Sequence, residues 1–133
     1  MSNRTTVFIS LVALFVITSL VACGPKKATI SATMTDYKYT PNTWEVPAGG
    51  QITLNLKNEG TLEHEFVIMA LGTEATMPFD DNDEGNVFWE HELESGESAS
   101  VEFTAPAEPG VYQVVCGTAG HLEQGMQGTL TVK

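Results

Sequence analysis

The chain has 133 residues, of which 42% are hydrophobic, and it carries 17 acidic side chains against six basic ones. This length supplies a single core and argues against a second domain. The formal net charge of −11 argues against nucleic acid as a partner, because an acidic surface repels a polyanion.

The first residues have the pattern of a secretory signal peptide. Arg4 supplies a basic start, and an apolar run occupies residues 7–21. That run is shorter than the roughly 20 residues that span a bilayer. The small Ala22 directly before Cys23 is typical of a lipoprotein cleavage site. We therefore predict cleavage before Cys23 and lipidation of its thiol; the alternative is an uncleaved membrane anchor.

This interpretation divides the chain into three parts. They are a signal peptide over residues 1–22, a lipidated cysteine and tether over residues 23–28, and one domain over residues 29–133. Under either alternative the domain lies outside the cytoplasm, tethered to a membrane, and we expect it to be a monomer.

Short strand-like runs recur along the domain, and turn-forming Gly, Pro, Asn and Ser residues separate them. In one run Ile52, Leu54 and Leu56 alternate with polar residues, as a half-buried strand requires. The pattern predicts an all-β fold, an antiparallel sandwich or barrel of about eight strands. The runs cover residues 28–39, 43–46, 51–58, 64–70, 86–93, 98–105, 110–116 and 127–133.

Two segments between or within these runs are strongly polar. Residues 71–85 are too broken for a core strand, and we predict a long loop with one helical turn. Acidic side chains cluster at residues 80–84 and 90–97. Each cluster is either a solvated surface or a docking patch for a basic partner.

The cysteine count indicates that one thiol has a chemical role. Exported proteins usually pair their cysteines in disulfides. If Cys23 carries lipid, Cys116 has no partner, because the chain contains two cysteines. An unpaired cysteine in such a protein is a candidate ligand or nucleophile.

The segment around Cys116 is the strongest chemical signal in the sequence. Cys116, His121 and Met126 are spaced five residues apart among glycines, at the end of a predicted strand. Thiolate, imidazole and thioether form a soft donor set that selects copper over magnesium or calcium. A second imidazole would complete the His2Cys site with axial Met that is typical of blue-copper electron-transfer proteins.

Two histidines could supply that imidazole. His64 begins a predicted strand just after a turn, where the ends of sandwich strands gather. His91 lies mid-strand among carboxylates, as a solvent-facing side chain would. Position therefore favours His64.

These segments resemble a known family. The stretch TDYKYTPNTWEVPAGGQITLNLKNEGTLEHEFVI and the stretch YQVVCGTAGHLEQGMQGTLTV are similar to the cupredoxins, the superfamily of plastocyanin and azurin. The C-x4-H-x4-M spacing is similar to that of rusticyanin, and the lipoprotein start to that of membrane-tethered members such as auracyanin. The resemblance implies a Greek-key β-sandwich that binds one copper ion through His64, Cys116, His121 and Met126.

The chain departs from the family pattern at two positions. Many cupredoxins carry Asn directly after the first histidine, and its side chain helps to hold the cysteine loop; this chain carries Glu65. The residue after the cysteine is often Ser or Thr, and here it is Gly117. Both departures leave the ligand set intact and alter the hydrogen bonds around it.

The resemblance also implies a function, that of a one-electron carrier between redox partners rather than an enzyme. It implies an electron exit through His121, near the surface in an apolar patch that Gly117, Ala119, Gly120 and Leu122 could form. The expected partners are redox proteins, for example a c-type cytochrome or a membrane oxidoreductase.

Two other classes of function compete with this reading. A copper carrier or chaperone would use the same side chains as transient ligands and perform no redox work. A thiol enzyme would use Cys116 as nucleophile with a histidine as base, which leaves Met126 without a role.

Overall fold

The computed structural model describes residues 24–133. The predicted signal peptide and Cys23 lie outside the described residues. No helix within residues 24–133 is long and apolar enough to cross a membrane.

Nine strands and one helical turn make up the described chain, which confirms the all-β prediction. The strands are β1 (Lys27–Thr35), β2 (Lys38–Thr40), β3 (Thr43–Val46), β4 (Gln51–Asn58), β5 (His64–Met69), β6 (Val87–Leu93), β7 (Ser98–Thr104), β8 (Gly110–Val115) and β9 (Gln127–Val132). The helix α1 (Asp81–Glu84) lies between β5 and β6.

The strands form two sheets that pack face to face as a sandwich. One sheet has the order β2-β1-β4-β7, and the other has the order β3-β9-β8-β5-β6. Alternating apolar side chains fill the space between them: Ile52, Leu54 and Leu56 of β4 are at most 2% exposed. An edge-to-face aromatic cluster of Tyr39 and Phe66 packs within this core.

Two features of the sandwich differ from the sequence prediction. The sheets are mixed rather than antiparallel, because β1 pairs with β4, and β3 with β9, in parallel. The predicted strand over residues 28–39 is two strands, β1 and β2, joined by a tight turn at Asp36 and Tyr37. Tyr37 has a φ of 65° there, a left-handed conformation that bulky residues seldom adopt.

The segment over residues 71–85 is the predicted loop, and α1 is its helical turn. Some of its acidic side chains make hydrogen bonds that hold the loop, and others are exposed to solvent. Asp83 is 2% exposed and accepts hydrogen bonds from the backbone N–H and the hydroxyl of Thr76. Asp80 caps the start of α1. Phe79 packs over the outer face of β5 and β8, in a second small apolar cluster that includes Leu122.

Candidate metal centre

The sheet brings His64 and Cys116 together at one end of the sandwich. His64 is the first residue of β5, and Cys116 directly follows β8. The two strands are antiparallel neighbours, with Val67 opposite Val115. The start of β5 therefore lies beside the end of β8, as the strand-end argument predicted for His64.

His121 joins them from the loop that follows Cys116. Its Nδ1 lies 3.3 Å from the Sγ of Cys116 and 3.1 Å from the Nδ1 of His64. The Sγ of Cys116 and the Nδ1 of His64 are 3.9 Å apart. All three side chains are buried, and within the described residues they form a compact group of potential metal ligands.

The same loop returns Met126 to the side of Cys116. The backbone N–H of Cys116 donates to the carbonyl of Met126, and the N–H of Met126 donates to the carbonyl of His121. Gly120 and Gly125 adopt left-handed φ values of 84° and 90°, which tight turns around His121 require. Met126 is fully buried in the core.

Burial favours the neutral forms of Cys116 and His121 in the metal-free centre. Desolvation raises the pKa of the Cys116 thiol, although hydrogen bonds from the backbone of Glu65 and from Thr118 act in the opposite direction. Desolvation likewise lowers the pKa of His121. A metal cation bound to both imidazoles would compensate the negative charge of a buried thiolate. A catalytic thiol is usually partly exposed to solvent, so the burial of Cys116 favours a role as metal ligand over a role as enzyme nucleophile.

Glu65 connects the two sides of the centre. Its backbone N–H faces the Sγ of Cys116 at 3.4 Å, and its carbonyl accepts a 2.5 Å hydrogen bond from the hydroxyl of Tyr39. The backbone N–H of Gly117 lies near its carboxylate and acts to lower the carboxyl pKa. Burial and the nearby Glu90 raise the pKa of this carboxyl to about 6.

The Glu65 carboxylate also explains the glycine after Cys116. A Cβ at position 117 would lie far inside van der Waals contact of the Glu65 carboxylate. Both departures from the family pattern therefore meet in one contact, which joins the cysteine loop to the residue after His64.

The surroundings of His121 differ from the expectation of a surface ligand. His121 is 4% exposed, and the ring of Tyr37 packs edge-on against it with centroids 5.2 Å apart. Leu122, a candidate for an apolar patch, is also 4% exposed and packs in the outer cluster. Ala119 and Gly120 are exposed as expected. The covering role of Tyr37 was not predicted, because no local pattern in the sequence relates it to the ligand loop.

His91 lies away from the centre. It is on β6, opposite Phe66, and its ring stacks on Trp89 with 14° between the planes. Asp36 is the polar residue that sequence reasoning missed. Its Oδ1 lies 3.3 Å from the Nε2 of His64.

Known proteins resemble this chain in sequence and in fold. The model of the cupredoxin-like domain family matches residues 7–132. Auracyanin-B of Chloroflexus aurantiacus is 31% identical in an alignment of 103 residues that covers 65% of this chain; the chain spans 43% of the length of that relative.

Two solved structures extend the comparison. Dithionite-reduced auracyanin from the photosynthetic bacterium Roseiflexus castenholzii is 29% identical, with a TM-score of 0.64 over 79% of this chain and 96% of that one. Auracyanin A, described as a blue copper protein of Chloroflexus aurantiacus, is 26% identical, with a TM-score of 0.64 over 80% of this chain and 99% of that one. By sequence and by fold, the chain belongs to the cupredoxin-like domain family.

Proposed function

We propose that the protein binds one copper ion through His64, Cys116, His121 and Met126 and carries single electrons between redox proteins. The observation that carries this proposal is the meeting of one thiol and two imidazole nitrogens in a buried group whose atoms lie within 4.8 Å of one another. Soft sulfur and imidazole donors of this kind favour copper, and auracyanin A is described as a blue copper protein.

When bound, copper supplies a couple that gains and loses one electron. The chain contributes a site that changes little in shape. The two strand ends fix His64 and Cys116, the turns of the loop fix His121, and burial excludes water from all three. A rigid, dry site reduces the reorganisation that accompanies electron transfer, and it offers no room for a substrate.

Absorption spectra of the copper-loaded full chain test the ligand set. We expect an intense thiolate band in the visible range that ascorbate removes and an oxidant restores. Cys116→Ser and His64→Asn should abolish the band. His91→Asn is the matched control, because His91 lies on β6 away from the centre, and it should leave the band unchanged. A colourless protein that holds only copper(I) would instead support the copper carrier.

The proposal extends to the location of the protein. We propose that residues 1–22 are removed, that Cys23 carries lipid, and that residues 23–28 tether the domain over residues 29–133 outside the cytoplasm. Mass spectrometry of the membrane fraction should find the lipid on the new N-terminal cysteine. A Cys23→Ala variant recovered in the membrane with an intact N-terminus would support the uncleaved anchor.

Acidic residues near the centre suit a basic redox partner such as a c-type cytochrome. Glu63, Glu92 and Glu94 place their carboxylates within 4.8 Å of one another beside the start of β5. We expect association with such a cytochrome to weaken as salt rises. Changing Glu92 and Glu94 to Gln should slow association, whereas Glu102→Gln, on β7 in the other sheet, should not. An association rate that does not depend on salt concentration would contradict electrostatic steering of the partner.

A further inference from the structure

We propose that Asp36 is a positioning residue that orients His64 for metal binding, an inference that rests on the copper site proposed above. Asp36 lies in the turn between β1 and β2, 28 residues before His64. Its Oδ1 approaches the Nε2 of His64 to 3.3 Å, on the side of the ring that faces away from Cys116.

The chemistry of this contact decides which ring nitrogen carries the hydrogen. An ionised carboxylate can only accept hydrogen bonds, so the Nε2 of His64 must be the donor. A neutral imidazole has one N–H, so its Nδ1 then keeps a free lone pair. That Nδ1 lies 3.9 Å from the Sγ of Cys116 and 3.1 Å from the Nδ1 of His121. Asp36 thus favours the tautomer in which the Nδ1 lone pair of His64 faces the other two potential metal ligands, Cys116 and His121.

The carboxylate of Asp36 is itself held in place. The backbone N–H of Thr61 donates to its Oδ1 at 2.9 Å, and the Thr61 hydroxyl donates to its Oδ2 at 2.7 Å. Thr61 lies in the turn that leads into β5 and His64. Both oxygens of Asp36 are therefore fixed, and the β1–β2 turn is tied to the segment that carries His64.

Gly60 provides independent support, because its missing side chain leaves room for this contact. A Cβ at position 60 would lie 2.5 Å from the Oδ1 of Asp36 and 2.6 Å from the Nε2 of His64. A side chain at Gly60 would displace at least one of the two groups from this contact. The backbone of Gly60 lies outside the left-handed region, so the space and not the φ angle demands glycine.

Three variants of the full chain separate the contributions to this contact. Asp36→Ala removes the acceptor, Asp36→Asn keeps an acceptor oxygen without the charge, and Gly60→Ala separates the pair while leaving the carboxylate in place. Glu102→Ala is the control, because Glu102 lies on β7 opposite Thr53 and touches neither group.

The first measurement uses metal-free protein and does not depend on copper. Nitrogen NMR of the His64 ring in mildly alkaline solution reports which nitrogen is protonated. We expect a protonated Nε2 in the wild type, in Asp36→Asn and in the control, and loss of that preference in Asp36→Ala and Gly60→Ala. An unchanged tautomer in both of these variants would overturn the proposal.

The second measurement is copper(I) affinity by competition with a chelator. Loss of such a partner of a metal-bound histidine typically lowers affinity by about 10–100-fold, and we expect this range for Asp36→Ala. Affinity equal to that of the control would overturn the proposal. If the NMR result is as expected but the wild type forms no thiolate band with copper, the copper-site proposal fails while the orientation of His64 by Asp36 stands. If Asp36→Ala does not fold, Gly60→Ala and Asp36→Asn decide the question.

Discussion

Replacing Gly117 by alanine is a direct test of the contact that holds the cysteine loop. The added Cβ would displace the Glu65 carboxylate and would lie 3.2 Å from Cε1 of Phe79. Forcing the half-buried carboxylate out of its packed position costs about 1–3 kcal/mol, the usual range for adding a methyl group where there is no space. Alanine regains about 0.4–1 kcal/mol by restricting the unfolded chain. We therefore expect a net loss of about 1–2 kcal/mol in the free energy of unfolding.

Denaturant unfolding of the metal-free protein measures this loss, and a double-mutant cycle assigns its cause. In a Glu65→Ala background the carboxylate is absent, so Gly117→Ala should cost nothing or stabilise slightly. Equal destabilisation in both backgrounds would refute the reasoning, because the cost would then come from Phe79 or the backbone. Glu65→Gln keeps an acceptor oxygen and should preserve most of the sensitivity to Gly117→Ala.

Two further predictions concern the cover of the centre and the acidic loop. Tyr37→Ala should uncover His121 and speed its modification by diethyl pyrocarbonate in the metal-free protein, with His91 as the internal control; an unchanged rate would mean that Tyr37 does not shield the ring. Hydrogen bonds from the backbone N–H and the hydroxyl of Thr76 lower the pKa of Asp83. The ionised carboxylate therefore stabilises the fold at a pH above the ordinary Asp pKa of about 3.9, and this stabilisation is lost as the pH falls through the lowered pKa. Asp83→Asn should therefore be less stable than the wild type near neutral pH, with a difference that shrinks on acidification; a difference independent of pH would contradict this account.

The fold was largely predictable because burial on one face imposes a period of two on the strands. The alternation at Ile52, Leu54 and Leu56 appears unchanged in the buried face of β4. Alternation identifies a strand and its inner face, but it carries no information on the direction of its neighbours. The parallel pairing of β1 with β4 was therefore missed. The turn at Asp36 and Tyr37 was missed because no glycine marks its left-handed residue.

The candidate centre was predictable to the extent that its donors share one loop and adjacent strand ends. The spacing of Cys116, His121 and Met126 is a local property that the sequence displays. The cover of His121 by Tyr37 and the support of His64 by Asp36 are non-local, since both come from a turn near the start of the domain. Such contacts depend on how the first sheet lies against the second, which no periodicity specifies.

The two departures from the family pattern behave as one change. A glutamate has one methylene more than an asparagine, so its carboxylate reaches further along the neighbouring strand end. Glu65 reaches the space where a side chain at position 117 would begin, and only glycine leaves that space open. Continuing the register of β5 and β8 past Val67 and Val115 places Glu65 opposite Gly117. The loop that carries Cys116 is thus still tied to the strand that carries His64, but through a carboxylate instead of an amide. The exchange adds a negative charge beside the Cys116 thiol, so the proposed copper site has an acidic side chain packed against its cysteine loop as well as acidic side chains on the surface around it.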